Sequence, residues 1–154
     1  MHPLIGLVTI LTVLLLVACA VYVSQARGRY GVKAPAVSGP EGFERALRVQ
    51  GNTNEAALMF LPALWVASAV HVPWISAVLG ALWLVARIWY ALAYANPPRS
   101  RGPAFGLSLL ALAALVLQAL WGLIWILALP EVPVPEVPEP ETHGPALGRP
   151  ASSH

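Results

Sequence analysis

Four apolar stretches, each close to the ~20 residues a helix needs to cross a bilayer, constrain this chain more than any other feature. They occupy residues 4–23, without a charge; 56–72, also uncharged; 74–95, interrupted by Arg87; and 103–129, uncharged and slightly over length. An amphipathic run from Phe43 extends the second at its start, giving spans of about 4–23, 45–72, 74–95 and 103–129. Hydrocarbon gives the backbone no hydrogen-bonding partner, so such segments must be helices. The composition agrees: only 10% of the 154 residues are charged, where a soluble domain carries about a quarter. The expected fold is an all-α, up-down bundle of four transmembrane helices over residues 1–129. With so little chain outside the bilayer, there is no room for a separate soluble catalytic domain. Any chemistry has to be built between helices.

The distribution of charge sets an orientation. Arg27, Arg29, Lys33, Arg45 and Arg48 lie between the first two spans, and Arg99 and Arg101 between the last two; the opposite side holds only Arg149. By the positive-inside rule both basic loops are cytoplasmic and both termini lie outside. Residues 130–141 alternate Pro with Val and Glu, a composition suited to extended polyproline II. Residues 142–154 have no apolar periodicity, so 130–154 reads as a disordered external tail.

Several function classes find no residues here. Cys19 is the sole cysteine, and His2, His71, His143 and His154 are scattered in external segments without metal-ligand spacing. No nucleophile–base arrangement, phosphate loop or basic-aromatic nucleic-acid surface is present, so neither a metal nor a nucleic-acid partner is expected. Leu16-Val17-Ala18-Cys19 resembles a bacterial lipobox. A secretory signal opens with positive charge, however, and Met1-His2-Pro3 supplies none, so the first span is read as a retained helix with its N-terminus outside.

Two polar stripes interrupt the apolar spans. Arg48, Asn52 and Glu55 are spaced i, i+4, i+7 at the mouth of the second helix, and Arg87, Tyr90 and Tyr94 i, i+3, i+7 near the end of the third. Each set shares one helix face. Glu55 lies ~13 Å and Arg87 ~12 Å from the cytoplasmic surface at 1.5 Å per residue. An unpaired charge at that depth is costly, so the two are expected to pair or share a polar network. One reading makes that pair a purely structural contact. A second makes the stripes the lining of a cytoplasm-facing cavity for an anionic, peptide-like ligand, with Arg99 and Arg101 at its rim and Arg99 favoured as simple topogenic charge. Pro62 is expected to kink the second helix, and Gln118 to hydrogen-bond between helices.

The run Arg48-Val-Gln-Gly-Asn52-Thr-Asn-Glu55, followed by Phe60-Leu-Pro62, resembles the second-helix signature of the MAPEG family, the membrane-associated proteins of eicosanoid and glutathione metabolism. Arg87-x-x-Tyr90-x-x-x-Tyr94 resembles the family's third-helix signature, and the likeness covers residues 4–129. It implies a homotrimer binding glutathione between neighbouring subunits near the cytoplasmic side. Arg48, Asn52 and Glu55 would hold the tripeptide, and Arg87, Tyr90 and Tyr94 would line the same site. Arg101 resembles the loop arginine that stabilises the glutathione thiolate, and Arg27 or Arg29 the arginine ending the first helix. This chain departs from the eicosanoid synthases in Gly51, where they carry arginine; in Phe105, where a tyrosine is expected; and in Tyr90, a histidine in the prostaglandin branch. The implied function is a glutathione-dependent transferase or peroxidase that joins a thiol to a lipophilic electrophile from the bilayer. Its alternatives are a non-catalytic relative that binds lipid or a partner protein, as one member of the family does, and a merely structural bundle.

Overall fold

The computed structural model describes residues 2–95 and 100–129. Arg99 and the tail 130–154 lie outside the described residues. Four helices follow in order, α1 (Pro3–Tyr30), α2 (Glu41–Val70), α3 (Pro73–Ala95) and α4 (Gly102–Ala128), and all four are long and apolar enough to cross a membrane. The chain is an all-α, integral, multi-pass membrane protein.

Local chemistry sets the ends. Pro3 opens α1, where a missing amide costs nothing. The helix runs past its apolar stretch to Tyr30 and stops at Gly31, whose φ of 67° is the left-handed conformation glycine adopts freely. Its amide reaches back to the Arg27 carbonyl. Glu41 and Glu44 occupy the first turn of α2, favourable against the helix dipole, and the Glu44 carboxylate accepts a hydrogen bond from the Gly39 amide at 3.2 Å. That capping starts α2 four residues earlier than the boundary of 45 expected from the sequence. The helix then continues through Pro62, which sits on the exposed side. His71 and Val72 join α2 to α3, which opens on Pro73.

α2 and α3 form the centre of the bundle and contact each other and both remaining helices; α1 and α4 flank them without touching one another. The core away from the basic loops is closed by Phe60 and Trp83, stacked with ring centroids 3.8 Å apart and planes 1° from parallel. Ile5, Val8, Leu64, Ala67, Ala77 and Leu115 pack around that stack. Two glycines permit the close approach. A Cβ on Gly80 would lie 3.0 Å from both Leu64 and Val8, and one on Gly122 would lie 2.7 Å from the Val70 carbonyl oxygen. Small residues at such crossings are the usual route to tight helix packing in a bilayer. Gln118 links α4 to α3 as expected, donating to the Ser76 hydroxyl at 2.9 Å and to the Val72 carbonyl at 3.4 Å. Thr9 and Thr12 satisfy their hydroxyls on carbonyls one turn back in α1, each at 2.8 Å. Leu58, Leu110 and Leu117 point outward, which hydrocarbon surroundings accept without cost.

Candidate functional site

Toward the basic loops the packing changes character. Val49, Thr53, Ala57, Phe60 and Leu64 form the buried face of α2, and opposite Thr53 the structure places Arg87, 1% exposed. The Arg87 guanidinium donates to the Thr53 hydroxyl at 3.1 Å and lies over the Tyr90 ring, 4.3 Å from its centroid. Its Nε is buried without a hydrogen-bond partner. Tyr90 is buried too, and its hydroxyl accepts a 2.7 Å hydrogen bond from the Asn52 amide.

From Tyr90 the contacts run outward. Tyr94 is tilted against it at 5.7 Å, Phe105 of α4 at 6.3 Å, and the Arg101 guanidinium covers the Tyr94 ring at 4.4 Å. Asn52, Arg87, Tyr90, Tyr94 and Arg101 are therefore one contact chain across α2, α3 and the start of α4. Beside it, Arg48, Asn52 and Glu55 line an open groove of about 480 Å³ with Glu44, Leu47 and Gly51. A groove bearing arginine, carboxylate and amide suits a ligand carrying charges of both signs.

The expected Glu55–Arg87 contact is not formed within the chain. Thr53 takes the hydrogen bond, while Glu55 is exposed on the groove side. The depths match, but Glu55 lies about 200° around the helix from Thr53 at ~100° per residue. Equal depth does not give equal direction. Among the described residues the ion pair present is Arg45–Glu41, one turn apart on α2. Arg27 also stays away from the groove: it donates to the Ala36 carbonyl at 2.9 Å and sits over the Phe43 ring at 4.9 Å, tying the α1–α2 connector down.

Two participants carried no strong signal in the sequence. Thr53 could be found only as a hydroxyl on an otherwise apolar stripe. Cys19 is buried on α1 with its thiol beside Thr53 and Arg87, which a lone cysteine in an apolar span does not reveal. Among the described residues no group of His, Cys, Asp and Glu is arranged to hold a metal ion.

Comparison with known proteins agrees with this architecture. The model of the MAPEG family matches residues 5–121. An uncharacterized protein of Synechocystis sp. is 43% identical over 120 residues, covering 78% of this chain and 88% of that protein. Leukotriene C4 synthase of Bos taurus is 36% identical over 121 residues, 79% of this chain and 81% of the synthase. Microsomal glutathione S-transferase 2 of Mus musculus is 37% identical over 100 residues, covering 65% and 68%. The chain belongs to the MAPEG family.

Proposed function

We propose that this chain is a glutathione-dependent transferase or peroxidase-like enzyme that joins a thiol to a lipophilic electrophile. The observation that carries the reading is the contact chain Asn52–Tyr90–Arg87, with Arg101 on Tyr94, bordering the groove of Arg48 and Glu55. The names of the relatives support it, since a leukotriene C4 synthase and a microsomal glutathione S-transferase are among them.

Glutathione carries two carboxylates, an ammonium and a thiol. Arg48 suits a carboxylate, Glu55 the ammonium and Asn52 a peptide group. A thiol of pKa ~8.5 is mostly protonated at neutral pH, and a nearby cation shifts it to the thiolate, the nucleophilic form. Arg101 is the cation assigned here; its guanidinium stays protonated and acts by charge alone, and the thiol proton leaves to water. The thiolate sulfur then forms a bond to the electrophilic carbon as that carbon's bond to oxygen or halogen breaks; the leaving atom takes the electron pair, and a leaving oxygen is protonated by water. The substrate enters from the bilayer over the apolar outer surface.

The groove is open on one side, and Gln50 and Asn54 place further polar groups on α2 in a separate cavity with Leu16 and Leu61. Polar groups at membrane depth need covering. A homotrimer supplies that cover and puts glutathione between subunits, with the basic loops cytoplasmic and both termini outside. A second reading, a non-catalytic lipid- or partner-binding protein, draws on Phe105, which meets Tyr90 without a hydroxyl to offer.

The test is calorimetric titration of the detergent-solubilised protein with glutathione, beside an Asn52→Ala/Glu55→Ala variant. Saturable binding that the variant loses supports the thiol site. No binding at millimolar glutathione would move the assignment to the second reading.

A further inference from the structure

At the basic end a second polar pocket, of about 250 Å³, lies between the end of α1, the start of α2 and the end of α3. Tyr22, Gln25, Arg29, Tyr30 and Arg45 supply its polar groups, and it shares no lining residue with the groove of Arg48, Asn52 and Glu55. Arg45 gives one nitrogen to Glu41, while its Nε is buried without a partner. Two arginines against one carboxylate leave a single positive charge to balance.

The pocket borders a second, apolar one. Tyr22 and Ala95 also line a second cavity of about 230 Å³, which continues along α1 and α3 past Leu15, Ala18, Val49, Ile88 and Ala91. Leu15 and Tyr22, like Ile88 and Ala95, are seven positions apart, so this groove runs ~10 Å into the bilayer at 1.5 Å per residue. Apart from the Cys19 thiol and the Tyr22 hydroxyl, its side chains are hydrocarbon.

We propose that this continuous cleft seats one anionic phospholipid. Its phosphate lies between Arg29 and Arg45, with Gln25 and the tyrosine hydroxyls as further donors, and one acyl chain lies in the α1–α3 groove. Basic pockets between transmembrane helices are suited to anionic head groups. Each half alone underdetermines the occupant; together they do not. Free phosphate would satisfy the arginines and leave the groove unfilled. A zwitterionic lipid would fill the groove but bring a cation against Arg29 and Arg45. An anionic lipid satisfies both halves.

The experiment is native mass spectrometry of the full chain in detergent, titrated with phosphatidylglycerol or with phosphatidylcholine of the same chains. Inorganic phosphate is followed separately by thermal shift. Phosphatidylglycerol is expected to bind about tenfold more tightly than phosphatidylcholine. Arg29→Gln/Arg45→Gln should remove that preference. Ala91→Trp, which fills the groove, should weaken phosphatidylglycerol about tenfold and leave the response to phosphate unchanged. Equal binding of the two lipids to the wild-type protein overturns the proposal without any variant. So does an undiminished preference in the arginine variant. Phosphate binding as tight as phosphatidylglycerol, with Ala91→Trp silent, makes the pocket a free-anion site and overturns the lipid assignment.

Discussion

The two halves of the bundle are built on opposite principles. Away from the basic loops, α2, α3 and α4 close on one another with aromatic stacking and glycine contacts: Phe60 on Trp83, Gly80 under Leu64, Gly122 against Val70. Toward the basic loops the same helices carry Arg87, Tyr90 and Asn52, joined by hydrogen bonds and ring contacts and bordered by open cavities. In the first half the buried contacts are mainly apolar, and Gln118 bridges α4 to α3 through Ser76. In the second a buried guanidinium keeps an unpartnered nitrogen and the grooves stay open. The first half holds the fold together. The second is where a ligand can be held.

Substitutions can break that division, and the largest effect is expected in the closed half. Trp83→Ala removes the stacked ring and should lower stability by ~3–5 kcal/mol, read as thermal or denaturant unfolding in detergent. Gly122→Val drives a branched side chain into Val70 and its carbonyl, at ~1–3 kcal/mol in the same assay. An unchanged unfolding midpoint for either would remove the contrast.

Arg87→Met moves into the open half and should separate the two properties. Replacing a buried charge that lacks a carboxylate partner with an apolar side chain of similar length should change stability by no more than ~1 kcal/mol, with gain as possible as loss. Glutathione affinity, by calorimetry, should fall about tenfold or more. Tyr90→Phe deletes the acceptor of the Asn52 hydrogen bond and should cost ~1 kcal/mol of glutathione binding, about fivefold. Glu55→Gln sharpens the comparison from the other side. Its unfolding should match wild type within ~0.5 kcal/mol, because Glu55 is exposed and does not hold Arg87; a large loss of stability would restore the buried pair.

The contrast also explains what could be read in advance. All four spans were legible from apolar length alone, because a bilayer leaves the backbone one solution. The ends were less so. α1 stops at Tyr30 and not at 23 because Gly31, not polarity, terminates it, and α2 begins at Glu41 because Glu44 caps it. Asn52, Arg87, Tyr90 and Tyr94 were legible as spaced polar residues and Arg101 as a loop arginine at their rim, and the structure puts them in contact. Whom Arg87 contacts was not. Residue depth follows from counting, but azimuth depends on how two helices are rotated, and a two-residue offset separates Thr53 from Glu55. Arg27 read, through the family resemblance, as a ligand-binding arginine ending the first helix; within the folded chain its contacts are with Ala36 and Phe43.

The central claim is that the open half binds glutathione and turns its thiol into a thiolate. Ultraviolet difference absorption of the thiolate, recorded at saturating glutathione for the wild-type protein and for Arg101→Ala, tests it most directly. The account predicts a thiolate band in the wild type that is lost in the variant while calorimetric binding persists. Binding without a thiolate band, or a band that Arg101→Ala leaves intact, would contradict it.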